Sequence, residues 1–268
     1  MTASGDDRYL QIITDALSVC SQYRPKFGQG SQSGLSLEEF QALYESDPFY
    51  SWFGLSSPLM YAAHKAAGGM TSVYRQIGMG CQWVLVEILK DQLGLGAQDV
   101  GWSYTVRGTG NSERRLTLDG RIPVAAVTNV EARKRVSRWM KLAANDLDLP
   151  RETRASFQGA VFEIRQGYKS KDSKRQNADV ANASNAYAHR YIPVVFLLSS
   201  QIDEDIAERY RRARWLLLRG STQGSVLDSS YIFMEQIVGY DLAGFFRRNS
   251  GKLREQIENV LRKLLSEA

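Results

Sequence analysis

The segment EIRQGYKSKDSKRQNAD, residues 163–179, follows directly on the apolar run Ala160-Val161-Phe162. It holds five Lys/Arg and three Asp/Glu in seventeen residues. Glu163 closes what reads as a buried strand, and a buried carboxylate without a partner is costly. Its partner is then either a metal ion or an ion pair, with Arg165 or with a neighbouring strand. Downstream, Lys169, Lys171, Lys174 and Arg175 are interleaved with Ser170, Ser173, Gln176 and Asn177. As a solvated turn this needs no ligand. As a site, the mixture of ammonium, guanidinium, hydroxyl and amide groups suits phosphate oxygens and base edges.

The elements around this segment follow from periodicity. Residues 7–24 and 36–45 have helical spacing, with Leu10, Ile13, Ala16 and Leu17 on one face of the first. In LSLEEF, Ser36 is placed as an N-cap and Glu39 three residues on completes a capping box. TSVYRQIGMGCQWVLVEILKDQLGLG, residues 71–96, reads as one helix with Val73, Ile77, Cys81, Val84, Leu85 and Ile88 in a stripe, stopped by Gly94 and Gly96. Polar Arg75, Gln76 and Gln82 interrupt that helix and point to a polar cleft along it.

The period then changes. WSYTVRG, RRLTLDGRIPV and GAVFEIRQ alternate or run apolar as strands do, with GTGNS as the first turn. Between the second and third lies a helix, NVEARKRVSRWMKLAANDL, whose Arg133, Lys134, Arg135, Arg138 and Lys141 make either a solvated face or a nucleic-acid contact. SKRQNADVANASNAYAHRY forms a small-residue helix. IPVVFLLSS is a strand, DEDIAERYRRA a helix and RWLLLRG a strand. The two near-continuous apolar strands belong in the centre of a sheet. The last helix has Leu253, Ile257, Val260, Leu261 and Leu264 on its core face. The order implies an α/β fold, a central mixed sheet flanked by helices, in a single domain over 1–268. A helical part covers about 1–98, the α/β core about 100–220, and a second helical part about 228–268.

Composition narrows the function classes. A hydrophobic share of 43% and a charged share of 24% are those of an ordinary globular chain. Cys20 and Cys81 give no disulfide framework and no metal-knuckle spacing, which suits a reducing cytoplasm. His64 and His189, the only histidines, argue against a histidine-rich zinc site and a Ser-His-Asp triad. MTASGDDRYL is acidic and precedes no apolar stretch, so no secretory signal is expected. No uncharged run is apolar enough to span a membrane. A net charge of +5 favours an acidic partner.

Over residues 116–219 the chain resembles the core of the PD-(D/E)XK nucleases, and in particular type II restriction endonucleases. The residues that carry the resemblance are Asp119 in TLDGRI and Glu163 in FEIRQ, followed by helix, strand, helix and strand in the family's order. The resemblance implies a restriction-endonuclease-like fold and Mg²⁺-dependent hydrolysis of double-stranded DNA by a homodimer. Asp119, Glu163 and the Ile164 carbonyl would hold the metal, since Mg²⁺ takes hard oxygen ligands. Asp119 read alone is a turn residue ahead of Gly120. The inserted basic helix lengthens the interval between the two acids, so Asp146 or Asp148 is an alternative first acid. Where the family has a lysine two residues after the second acid, this chain has Arg165. Arginine cannot act as a base, so it serves as an electrostatic clamp or Lys169 takes the role. DNA contacts are expected from Arg75, Gln76, Arg133, Lys134, Arg138, Lys171, Lys174, Arg175, Gln176 and Asn177. The competing readings are a non-catalytic nucleic-acid-binding protein on the same fold, in which Arg165 marks lost chemistry, and a repair nuclease acting on structured DNA.

Overall fold

The computed structural model describes residues 3–27, 34–107, 113–167 and 182–266. The chain divides into two compact units, Met1–Cys81 with Arg247–Ala268, and Gln82–Phe246. Among the described residues no helix is long and apolar enough to cross a membrane.

The first unit is helical. It contains α1 (Ala3–Ser18), a 3-10 turn (Val19–Gln22), α2 (Leu37–Glu45), α3 (Pro48–Trp52) and most of α4 (Pro58–Leu93), with the C-terminal part of the last helix, Leu242–Leu265. The capping box is present as the sequence predicts: Ser36 Oγ accepts from the Glu39 N–H at 3.2 Å, and the Ser36 N–H donates to Glu39 Oε2 at 2.7 Å. That backbone hydrogen bond holds the Glu39 carboxyl below its usual range. Leu10, Ile13, Ala16 and Leu17 are buried, as are Val260 and Leu264 of the last helix. Cys81 is buried too, and burial pushes its thiol up to about 12.

Helix α4 starts at Pro58, thirteen residues before the expected start. The glycine pair Gly68-Gly69 looks like a breaker in isolation. In the fold it is a packing site: a Cβ at Gly68 would collide with Tyr23 Oη, and one at Gly69 would lie 2.5 Å from a Leu264 methyl. The helix tolerates the pair because side chains from other elements close on its bare backbone. Its end is as expected, at Gly94 with φ +65 and the Leu95 N–H donating to Lys90 O at 3.1 Å.

The second unit is mixed α/β. After the short α5 (Ala97–Val100), β1 (Trp102–Arg107) and β2 (Glu113–Leu118) pair antiparallel. A separate four-stranded sheet has the order β3-β4-β5-β6, formed by β3 (Gly120–Pro123), β4 (Gly159–Arg165), β5 (Tyr191–Leu197) and β6 (Leu216–Leu218). β3 runs antiparallel to β4, and β4, β5 and β6 are parallel. The stretch expected as one strand over 114–124 is therefore two, broken at Asp119, with its halves in different sheets. All seven residues of β5 are buried, as a strand at the sheet centre requires.

Helices cover both faces of the four-stranded sheet. They are α6 (Val130–Asp146), α8 over 182–188, α9 (Glu204–Arg212) and α10 (Ser230–Phe233), with the short α7 (Arg151–Ser156) beside α6. α10 runs on through a π turn (Met234–Val238), and α11 is the last helix named above. On one face Val161, Val195, Leu197 and Leu217 pack with Ala183 and Ala186 of α8, Ile206 and Tyr210 of α9, and Trp102, Tyr104 and Leu118 of the β1–β2 hairpin. On the other, Phe162 and Phe196 meet Phe233 of α10, which also meets Trp139 of α6. The outcome is a mixed sheet between helical layers, held by the period-two alternation of β4 and β5.

β3 and β4 lie too close at one point for any side chain. A Cβ on Gly159 would collide with the Ile122 carbonyl oxygen and lie 2.9 Å from the Tyr191 ring, whereas one on Gly120 meets only ordinary contacts at 3.7–3.8 Å. Gly159→Ala is expected to cost about 1–3 kcal/mol, as overpacking does. Gly120→Ala should be neutral or stabilise by up to about 1 kcal/mol. Urea unfolding of the two variants checks this; equal stabilities would refute the close approach.

Candidate functional site

Glu163 and Arg165 stand two residues apart on β4 and so share the face of Val161. Arg165 Nη2 lies 2.5 Å from Glu163 Oε1, and each side chain is only 10% exposed, so this is a buried pair. The ion pair with Arg165, one of the partners open to Glu163 on sequence grounds, is present. Glu163 pairs in register with Val195 of β5. Tyr104 of β1 is near enough to feel the carboxylate: burial pushes its phenol up, and the Glu163 charge adds to that rise. The Tyr104 hydroxyl donates to Asn182 Oδ1 of α8. Glu163 thus sits at the sheet surface with β1, a phenol and a guanidinium around it.

Asp119 occupies the corner where the chain leaves β2 for β3. Its N–H donates to the Phe162 carbonyl at 2.9 Å, and its Oδ2 accepts from the Ile164 N–H at 2.8 Å. Asp119 therefore grips β4 on both sides of Glu163. Its other oxygen, Oδ1, accepts from Gln82 Nε2 of α4 at 2.7 Å. The Ile164 N–H thus points toward the β3 edge. In a strand each residue sends its N–H and C=O to the same edge, so the Ile164 carbonyl points there as well. The neighbouring Arg165 carbonyl faces the opposite way, accepting from the Leu198 N–H at 2.9 Å.

Asp119 and the Ile164 carbonyl consequently share one edge of β4, immediately beside the residue that carries Glu163. Two carboxylates and a carbonyl are hard oxygen donors, and this set fits Mg²⁺, which completes its shell with water. No group of three or more His, Cys, Asp or Glu side chains is gathered for a metal among the described residues. Any ion here depends on the carbonyl and on solvent for its remaining ligands.

The other expected site residues are placed as follows. Asp146 and Asp148 are exposed, at the C-terminal end of α6 and just beyond it. Neither has the hydrogen bond to β4 that Asp119 has, so Asp119 is the acid beside Glu163. Arg133, Lys134 and Arg138 lie on the exposed side of α6, whose buried residues cover the sheet face opposite Glu163. Arg133 donates to the Val127 carbonyl at 2.8 Å, and Lys134 pairs with Glu131 at 2.8 Å. The structure does not bring this helix to the two acids. Arg75 and Gln76 belong to the helical unit, where Arg75 is exposed and Gln76 buried. Lys169, Lys171, Lys174, Arg175, Gln176 and Asn177 lie outside the described residues. Gln82, Tyr104 and Asn182 were not expected as site residues. Only Gln82 carried a signal, as an amide inside an apolar helix.

Removing one partner of a buried ion pair leaves an uncompensated charge, whereas replacing both together with apolar groups of similar size is close to neutral. Arg165→Met is expected to destabilise the protein by about 3 kcal/mol. The double variant Glu163→Leu/Arg165→Met should return to within about 1 kcal/mol of the parent. Equilibrium unfolding in urea measures all three, and a double variant as unstable as Arg165→Met would refute the left-over Glu163 charge as the cause of the loss.

No family model matches the chain, and neither a curated protein nor a solved structure matches it.

Proposed function

We propose that the chain is a Mg²⁺-dependent endonuclease that hydrolyses phosphodiester bonds of double-stranded DNA at specific sites. It is an enzyme of restriction type, acting in the cytoplasm as a homodimer. The observation that carries the reading is the Asp119 Oδ2 to Ile164 N–H hydrogen bond at 2.8 Å. It brings one carboxylate to the edge to which the Ile164 carbonyl points, beside the second carboxylate, Glu163. The mixed sheet flanked by helices is compatible with the same reading at the level of α/β architecture.

Each residue then has a role suited to its chemistry. Asp119, Glu163 and the Ile164 carbonyl hold the ion. Mg²⁺ bound there lowers the pKa of a coordinated water and offsets charge on the leaving oxygen. Gln82, donating to Asp119 Oδ1, fixes the orientation of that carboxylate. Arg165 holds Glu163 by one oxygen, and its permanent charge stabilises negative charge on the scissile phosphate without taking up a proton. The same buried pair favours a second reading. With Glu163 already engaged by Arg165, the fold serves as a nucleic-acid binder without cleavage.

Digestion of plasmid DNA decides between the two. With Mg²⁺, discrete fragments are expected, and EDTA, Asp119→Asn or Glu163→Gln should abolish them. Gln82→Leu should slow cleavage by about 10–100-fold, as loss of a hydrogen bond to a metal ligand does. Mg²⁺-dependent cleavage that persists in Asp119→Asn and Glu163→Gln would overturn the site. Salt-sensitive DNA binding with no cleavage by the parent protein would establish the binder instead.

A further inference from the structure

The helical unit contains a cleft of about 1190 Å³ whose walls carry Arg24, Lys26, Lys65 and Arg75, with no acidic residue among the described lining residues. Hydroxyls of Ser36, Thr71 and Ser72 line it as well. The cations come from two stretches that are tied together. The Leu35 N–H donates to the Pro25 carbonyl at 3.0 Å, and Tyr61 Oη of α4 donates to the Leu35 carbonyl at 2.9 Å. Tyr23 lies against the bare backbone of Gly68, so the segment that bears Arg24 and Lys26 is pressed onto the helix that bears Lys65 and Arg75.

Lys65 is 7% exposed, and its Nζ contacts the Ser266 carbonyl and hydroxyl at 3.3 Å each and lies 6.0 Å from the centroid of the Tyr61 ring. Burial holds its ammonium below the usual lysine range. Glu39, which shares an electrostatic interaction with Arg24, already accepts the Ser36 N–H in the capping box. Four cations on a concave wall focus potential into the space between them.

We propose that this cleft binds phosphate esters and holds the sugar-phosphate backbone of a nucleic acid. The choice of nucleic acid as carrier rests on the reading of the chain as a DNA enzyme, whereas phosphate recognition follows from the lining alone. The volume favours a backbone: small-molecule pockets span about 300–1,000 Å³ and enclose their ligand, and this cleft is larger and open to solvent. Lysines, arginines and hydroxyls contact phosphate without reading sequence, so the cleft would position a duplex and leave base selection to other residues.

The test is fluorescence anisotropy of a labelled duplex of arbitrary sequence in EDTA, titrated with salt, for the parent, Arg24→Gln/Arg75→Gln and Arg212→Gln proteins. Both cleft arginines are exposed, so neutralising them spares the core. The slope of log affinity against log salt should fall by about 2 in the double variant, one for each phosphate no longer neutralised, and stay unchanged in Arg212→Gln, which neutralises an exposed cation of α9. An unchanged slope in the double variant overturns the proposal, and so does displacement of the duplex by polyglutamate as readily as by unlabelled duplex. Binding of a nucleoside triphosphate but no duplex, abolished in the double variant, overturns the backbone assignment in favour of a phosphorylated small molecule. The readout is independent of cleavage. A parent protein that never cuts DNA but shows the slope change retains the cleft and loses the nuclease, and cleavage without the slope change does the reverse.

Discussion

The architecture of the α/β unit turns on one carboxylate. At Asp119 the chain must leave the β1–β2 hairpin and enter a different sheet, and the backbone groups at such a break lose their ladder partners. Asp119 resolves this with its own atoms, donating its N–H to Phe162 and accepting the Ile164 N–H on Oδ2. A side-chain oxygen takes the place that a strand carbonyl would have held, so the β4 edge remains satisfied where β3 ends. The same substitution leaves the Ile164 carbonyl aimed at that edge and the carboxylate beside it. A structural necessity and a set of hard oxygen donors are thus one arrangement, and the donation from Gln82 fixes it from a third element.

Glu163 poses the opposite problem, a charge in a place built for apolar groups. Val161 precedes it on the same face and Val195 lies beside it in register, and the face belongs to the core that α8 and α9 cover. Arg165 answers the charge from the same strand, so the pair needs no long-range closure to form. Such a pair is weak as a stabiliser, because desolvation consumes most of the Coulombic gain. A well-packed apolar pair would serve the core at least as well. The carboxylate stands one residue from the Asp119 clamp, where the proposed nuclease would use it.

Much of this was legible in the amino-acid sequence, where the physics is local. The capping box of Ser36 and Glu39, the apolar run of β5 and the core face of the last helix depend on residues a few positions apart, and they read directly. The break at Asp119 did not read, because RRLTLDGRIPV keeps its alternation through the corner and sheet membership is decided by strands elsewhere in the chain. The early start of α4 was hidden by Gly68-Gly69, whose role depends on Tyr23 and Leu264. At the site, the burial of Glu163 followed from its apolar flanks. The Tyr104–Asn182 hydrogen bond joins residues 78 apart and leaves no trace in either local pattern.

Charge shows the same limit more sharply. The sum of +5 said only that an acidic partner was favoured, and the run of cations on α6 read as either a solvated face or a nucleic-acid contact. In the fold these cations are spread along an exposed, convex helix face, and several are already occupied: Arg133 by the Val127 carbonyl, Lys134 by Glu131, Arg135 by the Ile237 carbonyl at 3.2 Å. Arg24, Lys26, Lys65 and Arg75 are distant in sequence and inconspicuous there, yet they share one concavity. At physiological salt the Debye length is about 8 Å, so charges act together only when folding gathers them within that distance and walls off the solvent. Concavity, not the density of lysine and arginine along the chain, decides which cations can hold an anion.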